Sequence, residues 1–261
     1  MNNIEQKIQE ITKNGINIEF GPIFDQSIAN FKKIALPAGL AFLLFSVVLG
    51  IIFGGGFALF IGANSMAEDL ANFNIANFSV LGIIGYFASL IIIASVIAPF
   101  YCGILKMAHL ANKNEEIQLV TAFDYYKSNQ LKEIILAAVY IALFSSGVTI
   151  LLELIGKPFI GNTMSTLITF WTIFVNPLII FGQMKATEAI GASIKIVSKK
   201  SFLLLGLLFV ALIICCLGAF GLCIGVFFTI PFIFSMEYVL YKNIIDFSET
   251  NEIDEIGSFV E

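Results

Sequence analysis

The sequence predicts an all-α fold: a polytopic membrane bundle of six transmembrane helices with three interfacial amphipathic helices and an approximate threefold internal repeat. Three observations predict it. Of 261 residues, 58% are apolar and 13% charged, where a soluble domain carries about 25% charged residues. Mean hydropathy is +0.93, and 27 Phe are present, so most of the surface must face lipid. The few charges bracket uncharged runs as long as the roughly 20 residues a helix needs to cross a bilayer. Soluble enzyme folds are excluded by the same arithmetic.

Residues 1–33 carry Glu5, Lys7, Glu10, Lys13, Glu19, Asp25, Lys32 and Lys33 and read as a cytoplasmic N-terminal and interfacial segment. No signal-peptide hydrophobic region precedes them, so the first apolar segment is expected to be retained. The membrane domain then covers 34–242. Its first span runs from Ile34 to Ile61, in a stretch free of charge between Lys33 and Glu68. The second runs from Val80 to Leu105 and is closed by Lys106, His109 and Lys113. Ile134 to Leu152, between Glu133 and Glu153, gives the third, and Leu167 to Gln183, between Lys157 and Lys185, the fourth. Ser201 to Met236 is too long for one crossing, so it must form a tight hairpin turning at Gly218-Ala219-Phe220-Gly221. That places the fifth span at Phe202 to Leu217 and the sixth at Leu222 to Tyr241. Residues 243–261 read as an acidic, solvated cytoplasmic tail.

All 14 basic residues are Lys, and with six spans every one except Lys157 falls on the same side. The positive-inside bias then puts both termini in the cytoplasm of a bacterial inner membrane. Without Arg there is no bidentate clamp for phosphate or carboxylate, and the net charge is −5, so no nucleic-acid partner is expected.

Each outward span is preceded by an amphipathic stretch: Phe24 to Lys33, Phe123 to Glu133 and Ile190 to Lys200. Written out, FDQSIANFKK, FDYYKSNQLKE and IGASIKIVSKK begin apolar, carry a Ser and end in or beside Lys. Each returning span holds one proline, Pro99 in VIAPFYCGILK, Pro177 in FVNPLIIFGQMK and Pro231 in FTIPFIFSMEY. These read as three copies of an interfacial helix followed by a membrane hairpin; the alternative is independent placement, proline being common in membrane helices. In the repeat reading the three kinked helices face one another, and the carbonyls freed by proline need a neighbouring helix, hydroxyl or water.

The segments APFYCGILKMAHLA, ATEAIGASIKIVSKKSFLLLGLL and CLGAFGLCIGVFFTIPFIFSMEYVLYK resemble bacterial six-span integral membrane proteins related to the membrane domain found beside some glycerophosphodiester phosphodiesterases. The resemblance covers most of the chain after the first helix and rests on Pro, Gly, Ala and Ser, residues of packing more than of chemistry. It implies a compact helical membrane protein that is an accessory to envelope or lipid processes.

Ionisable residues at membrane depth cost about 3 kcal/mol on insertion scales and therefore mark candidate sites. Glu237 is the foremost. Two roles are open to it: an interfacial carboxylate reaching headgroup water beside Tyr238, Tyr241 and Lys242, or the partner of Lys106 or Lys185 in a closure of the cytoplasmic end. Asn176, beside Pro177, either caps the freed backbone or lines a polar site, and capping is favoured. His109, the single His, reads as interfacial. Cys102, Cys215, Cys216 and Cys223 show no CxxC spacing and read as packing residues. Gly50 and Gly54, and Gly221 and Gly225, stand at GxxxG spacing for close helix approach within the fold or between copies; Gly54 to Gly56 could instead unwind the first span. No nucleophile elbow, phosphate loop, carboxylate dyad or metal signature is present, so no catalytic residue, cofactor or metal is expected. The function read from these features is that of a non-enzymatic inner-membrane protein, a structural or accessory subunit or a self-assembling one, whose partners are the bilayer and a membrane protein or its own copies. The alternative is a small transporter or channel with its site near the proline-kinked returning helices.

Overall fold

The structure, a computed structural model, describes residues 3–16, 18–55, 78–220 and 224–245. Among them every regular element is helical: α1 Asn3–Asn14, α2 Phe20–Leu49, a π-helical turn Gly50–Gly54, α3 Val80–Lys113, a 3-10 segment Leu119–Lys127, α4 Leu131–Leu154, α5 Pro158–Trp171, α6 Val175–Ile180, α7 Ala186–Lys199, α8 Ser201–Leu217, a 3-10 turn Gly218–Phe220, α9 Ile224–Thr229 and α10 Pro231–Ile245. Four stretches are long and apolar enough to cross a membrane: Phe20–Gly54, Val80–Lys113, Leu131–Leu154 and Pro158–Ile180. Joining α7 to α8, which meet at 97°, makes a fifth, broken one. The all-α membrane bundle thus stands with four to five such helices. The sixth predicted span falls partly on 221–223, outside the described residues, and the remainder divides into the short α9 and α10.

The third amphipathic stretch, Ile190 to Lys200, forms most of α7 and its cap, and the chain turns 97° there into α8. The second lies on the 3-10 segment and the start of α4. The first differs from expectation. Phe24 to Lys33 is no separate interfacial helix, because α2 runs unbroken from Phe20 to Leu49. Its buried residues Ile23, Ser27, Asn30, Ile34, Ala38 and Ala41 explain this: spaced three and four apart, they form one stripe that continues past Lys33 without a shift of face. That stripe packs on α10 and α3. The fourth predicted span also starts earlier, since Pro158 opens α5 at its first turn, where proline's missing N–H costs nothing.

The predicted hairpin turn at Gly218 is present as a 3-10 turn, Gly221 lying outside the described residues. Gly218 and Gly225 touch backbone to backbone, so a Cβ on either would meet the other's carbonyl oxygen. Thr229 fastens the same corner, its Oγ1 donating to the Cys215 carbonyl (3.1 Å) while Cys215 Sγ donates to the Thr229 carbonyl (3.3 Å). Cys102 and Cys215 are buried and Cys216 is exposed; Cys223 lies outside the described residues.

Gly50 and Gly54 behave otherwise. A Cβ on either meets nothing within 4 Å, so their GxxxG face is not used for packing within the described fold. Up to Gly54 the first span is widened into a π turn, not unwound; Gly56 lies outside the described residues.

The core is continuous and rich in rings. Phe45 stacks on Phe100 (centroids 4.0 Å, planes 10° apart), and Phe42 meets Phe100 edge-on at 5.1 Å and Phe234 at 5.4 Å. These rings join α2, α3 and α10. The N-terminal α1 adds Ile8 and Ile11 to the same core and packs on α7 and α10.

Candidate functional site

Where α2, α3 and α10 meet, the bundle encloses polar groups. The charge map places Glu237 near the end of its span, within reach of headgroup water. In the structure it has 0% exposure. The reason is that α10 is covered on several sides, by α2, α3, α8 and α1, so nearness to a helix end gives no access to water. The pairing with Lys106 or Lys185 is likewise not found. Glu237 Oε2 instead accepts a hydrogen bond from the Tyr101 hydroxyl, and among the described residues Oε1 is buried without a hydrogen-bond partner. Lys106 points to the 3-10 segment, where Nζ lies 2.7 Å from Asp124 Oδ2 in a partly exposed ion pair. Lys185 caps α7, its backbone N–H donating to Glu188 Oε2 (3.4 Å).

Two residues before Glu237 on α10, Ser235 belongs to a second set of buried polar groups, shared with α2 and α3. Ser27 Oγ donates to the Ile23 carbonyl (2.7 Å), Ser235 Oγ donates to the Ser27 carbonyl (2.7 Å) and lies 3.0 Å from Asn30 Oδ1, and Asn30 Nδ2 donates to the Ala108 carbonyl (2.7 Å). Each helix of the triad therefore gives at least one carbonyl or side chain to the seam. Buried polar groups need such partners, and a fully satisfied network fixes the register of the three helices. Ser27 and Asn30 are visible in FDQSIANFKK as polar residues three apart, and Ser235 in FTIPFIFSMEY, but their convergence needs the tertiary fold.

The prolines sit in three different settings. Pro99 lies inside the continuous α3, and in that turn the Tyr126 hydroxyl donates to the Val96 carbonyl (2.6 Å). The carbonyl left without its donor by Pro99 is that of Ser95, four residues back, so the Tyr126 hydroxyl serves the carbonyl next to it in the same turn. Tyr126 stands on the 3-10 segment, where burial pushes its phenol up to about 12, so it remains a donor at any ordinary pH. Pro177 is in the short α6, and Pro231 opens α10.

The sequence places the cap near Pro177 on Asn176, and the structure corrects this: among the described residues the half-buried Asn176 side chain makes no hydrogen bond. Two other side chains satisfy the break. Ser193 of α7 accepts at Oγ from the Phe174 N–H (3.1 Å) and donates to the Trp171 carbonyl (2.7 Å), while Gln130 Nε2 donates to the carbonyls of Ile179 (3.1 Å) and Ile180 (3.2 Å). Neighbouring elements supply these groups because Asn176 sits on α6 itself, in its first turn. Ser193→Ala should cost about 1–3 kcal/mol, because it leaves the buried Phe174 N–H without an acceptor; a thermal melt unchanged from wild type would refute this.

The ends of the returning helices do converge. The His109 ring of α3 lies 5.1 Å from Phe181, just past α6, and Phe181 lies 5.8 Å from Tyr238 and 5.7 Å from Tyr241 of α10. His109 Nδ1 is 3.0 Å from the Tyr238 hydroxyl. His109 is thus a half-buried member of an aromatic contact between the three proline-bearing elements.

Chemically, the arrangement offers one buried carboxyl, one phenol bonded to it and a set of hydroxyl and amide groups already paired. Among the described residues no three His, Cys, Asp or Glu gather as metal ligands. The chain matches no family model, no curated protein and no solved structure.

Proposed function

We propose that this multi-pass helical membrane protein is a non-enzymatic structural or accessory subunit that acts through its outer surface, with a membrane-protein partner or with its own copies. The observation that carries the reading is the contrast between core and surface. The three-helix centre is closed by Phe42, Phe45, Phe100 and Phe234 and by paired polar groups, while among the described residues a Cβ on Gly50 or Gly54 would meet nothing within 4 Å. Small faces of this kind let membrane helices approach closely. Counted over six spans, the lysine distribution supports a bacterial inner-membrane location with cytoplasmic termini, and the resemblance to membrane domains found beside phosphodiesterases supports a role near envelope lipid processes. In native gels of gently solubilised membranes the protein should run larger than one chain, and Gly50→Leu with Gly54→Leu should reduce it to one. A wild type already running as a single chain overturns the reading.

A second reading, a small transporter, is favoured by one observation: Glu237 Oε1, buried between proline-bearing helices and without a hydrogen-bond partner among the described residues. It requires solute or proton flux in proteoliposomes that is abolished by Glu237→Gln; proteoliposomes with no flux above empty vesicles dispose of it.

A further inference from the structure

A groove of about 600 Å³ opens between α2 and the end of α3, lined by Lys33, Leu36, Pro37 and Leu40 on one side and by Asn114, Glu115 and Leu119 among others on the opposite one. It lies where Lys33 ends the charged part of α2 and Lys113 that of α3, at the level where both helices leave the apolar layer. We propose that this groove binds one zwitterionic phospholipid of the phosphoethanolamine class.

The head of the groove carries complementary charges. Lys33 Nζ donates to the Ala111 carbonyl (2.9 Å) and to Asn114 Oδ1 (2.6 Å). An ammonium has three N–H donors, so one remains for a phosphate oxygen, and the ammonium is held in place by the other two. Glu115 is exposed, and among the described residues its carboxylate is in no ion pair or hydrogen bond, so it is open to an alkylammonium. A fixed cation beside an open carboxylate fits a headgroup that is itself anion and cation in sequence. It fits an anionic glycerol headgroup less well, since Glu115 would repel it.

The tail has its own track. From the groove, α2 presents Leu36, Leu40, Leu44, Val47 and Val48, all between 40% and 63% exposed. They recur at three- and four-residue spacing and form one apolar strip. From Leu36 to Val48 this strip spans roughly 18 Å at 1.5 Å per residue, comparable to one leaflet of a hydrocarbon core about 30 Å thick. Head site and tail track are therefore collinear.

The test is native mass spectrometry of the full-length protein released from nanodiscs of equal phosphatidylethanolamine and phosphatidylglycerol. Wild type should retain one phosphatidylethanolamine per chain over phosphatidylglycerol by roughly fivefold, the scale of one exposed ion pair. Glu115→Lys, an exposed replacement that leaves the fold intact, should reverse the preference, and Lys33→Gln should reduce retention of both lipids. Equal retention of the two by wild type, or an unchanged preference in Glu115→Lys, means annular association only and overturns the proposal. Lys33→Gln also loosens the end of α3, so the proposal stands or falls on Glu115→Lys, whose thermal melt is recorded alongside.

Discussion

Gly103→Ala should destabilise the bundle by about 1–3 kcal/mol, and Gly103→Leu should leave little folded protein. In α3, Gly103 faces the 3-10 segment, where an added Cβ would overlap the carbonyl group of Ala122. The obstacle is backbone, and Ala122 is itself fully buried, so neither wall can turn aside as a flexible side chain would. Close approach here has a purpose. It brings the 3-10 segment near enough for Tyr126 to reach the Val96 carbonyl beside Pro99 and for Asp124 to reach Lys106. Pushing the segment away should therefore weaken both contacts. Gly85 is the internal control: it lies in the same helix, and a Cβ there meets nothing within 4 Å. Gly85→Ala should change stability by less than about 1 kcal/mol. Thermal unfolding of the detergent-solubilised proteins compares the two, and equal effects of the substitutions would show that helix propensity, and not the Ala122 contact, sets the cost.

How much of this is legible in the sequence depends on which property a residue reports. Membrane class and helicity are legible because apolar length between charges is a one-dimensional property. The turn at Gly218 and the break at Lys200 are legible too, because glycine and a polar cluster act locally. The unbroken α2 is obscured since lysines mark where a helix leaves lipid and not where it ends; its buried stripe from Ile23 to Ala41 is the signal that reveals it. Asn176 misleads because a polar residue next to proline looks like its cap, whereas Ser193, 17 positions beyond Asn176 in the chain, supplies the oxygen. Glu237 stands out as the foremost ionisable residue, but its burial depends on α1, α2, α3 and α8 covering α10. No local pattern encodes four neighbours. Tyr101 as its partner is invisible for the same reason, being 136 positions away.

Glu237 and Tyr101 should behave as a coupled pair in a double-mutant cycle. Tyr101→Phe removes the hydroxyl donor and leaves a buried carboxyl with neither oxygen hydrogen-bonded, a loss of about 1–3 kcal/mol. Glu237→Met removes the acceptor and strands the phenol instead, with a cost of the same order. Joining the two replacements exchanges the whole polar contact for apolar groups of similar volume, which is commonly neutral or stabilising. The double variant should then be more stable than either single one, with a coupling energy of about 0.5–3 kcal/mol. Glu237→Lys should be worse than all of these, at about 3 kcal/mol or more, because it buries an ammonium whose neighbour is a phenol. Adding Lys106→Glu should give no rescue, since the partner of Lys106 is Asp124 on the 3-10 segment. The cycle also separates structure from activity: a carboxyl kept only to hold α3 on α10 can be replaced together with Tyr101 without loss of assembly, whereas a carboxyl kept for transport yields a stable double variant that has lost flux. Double-variant stability below that of the weaker single variant would mean that the carboxyl and phenol are not each other's partners in the folded bundle, leaving the direct polar contacts of α3 with α10 to His109 and Tyr238 (3.0 Å) and to Lys242 and Asn112 (3.3 Å).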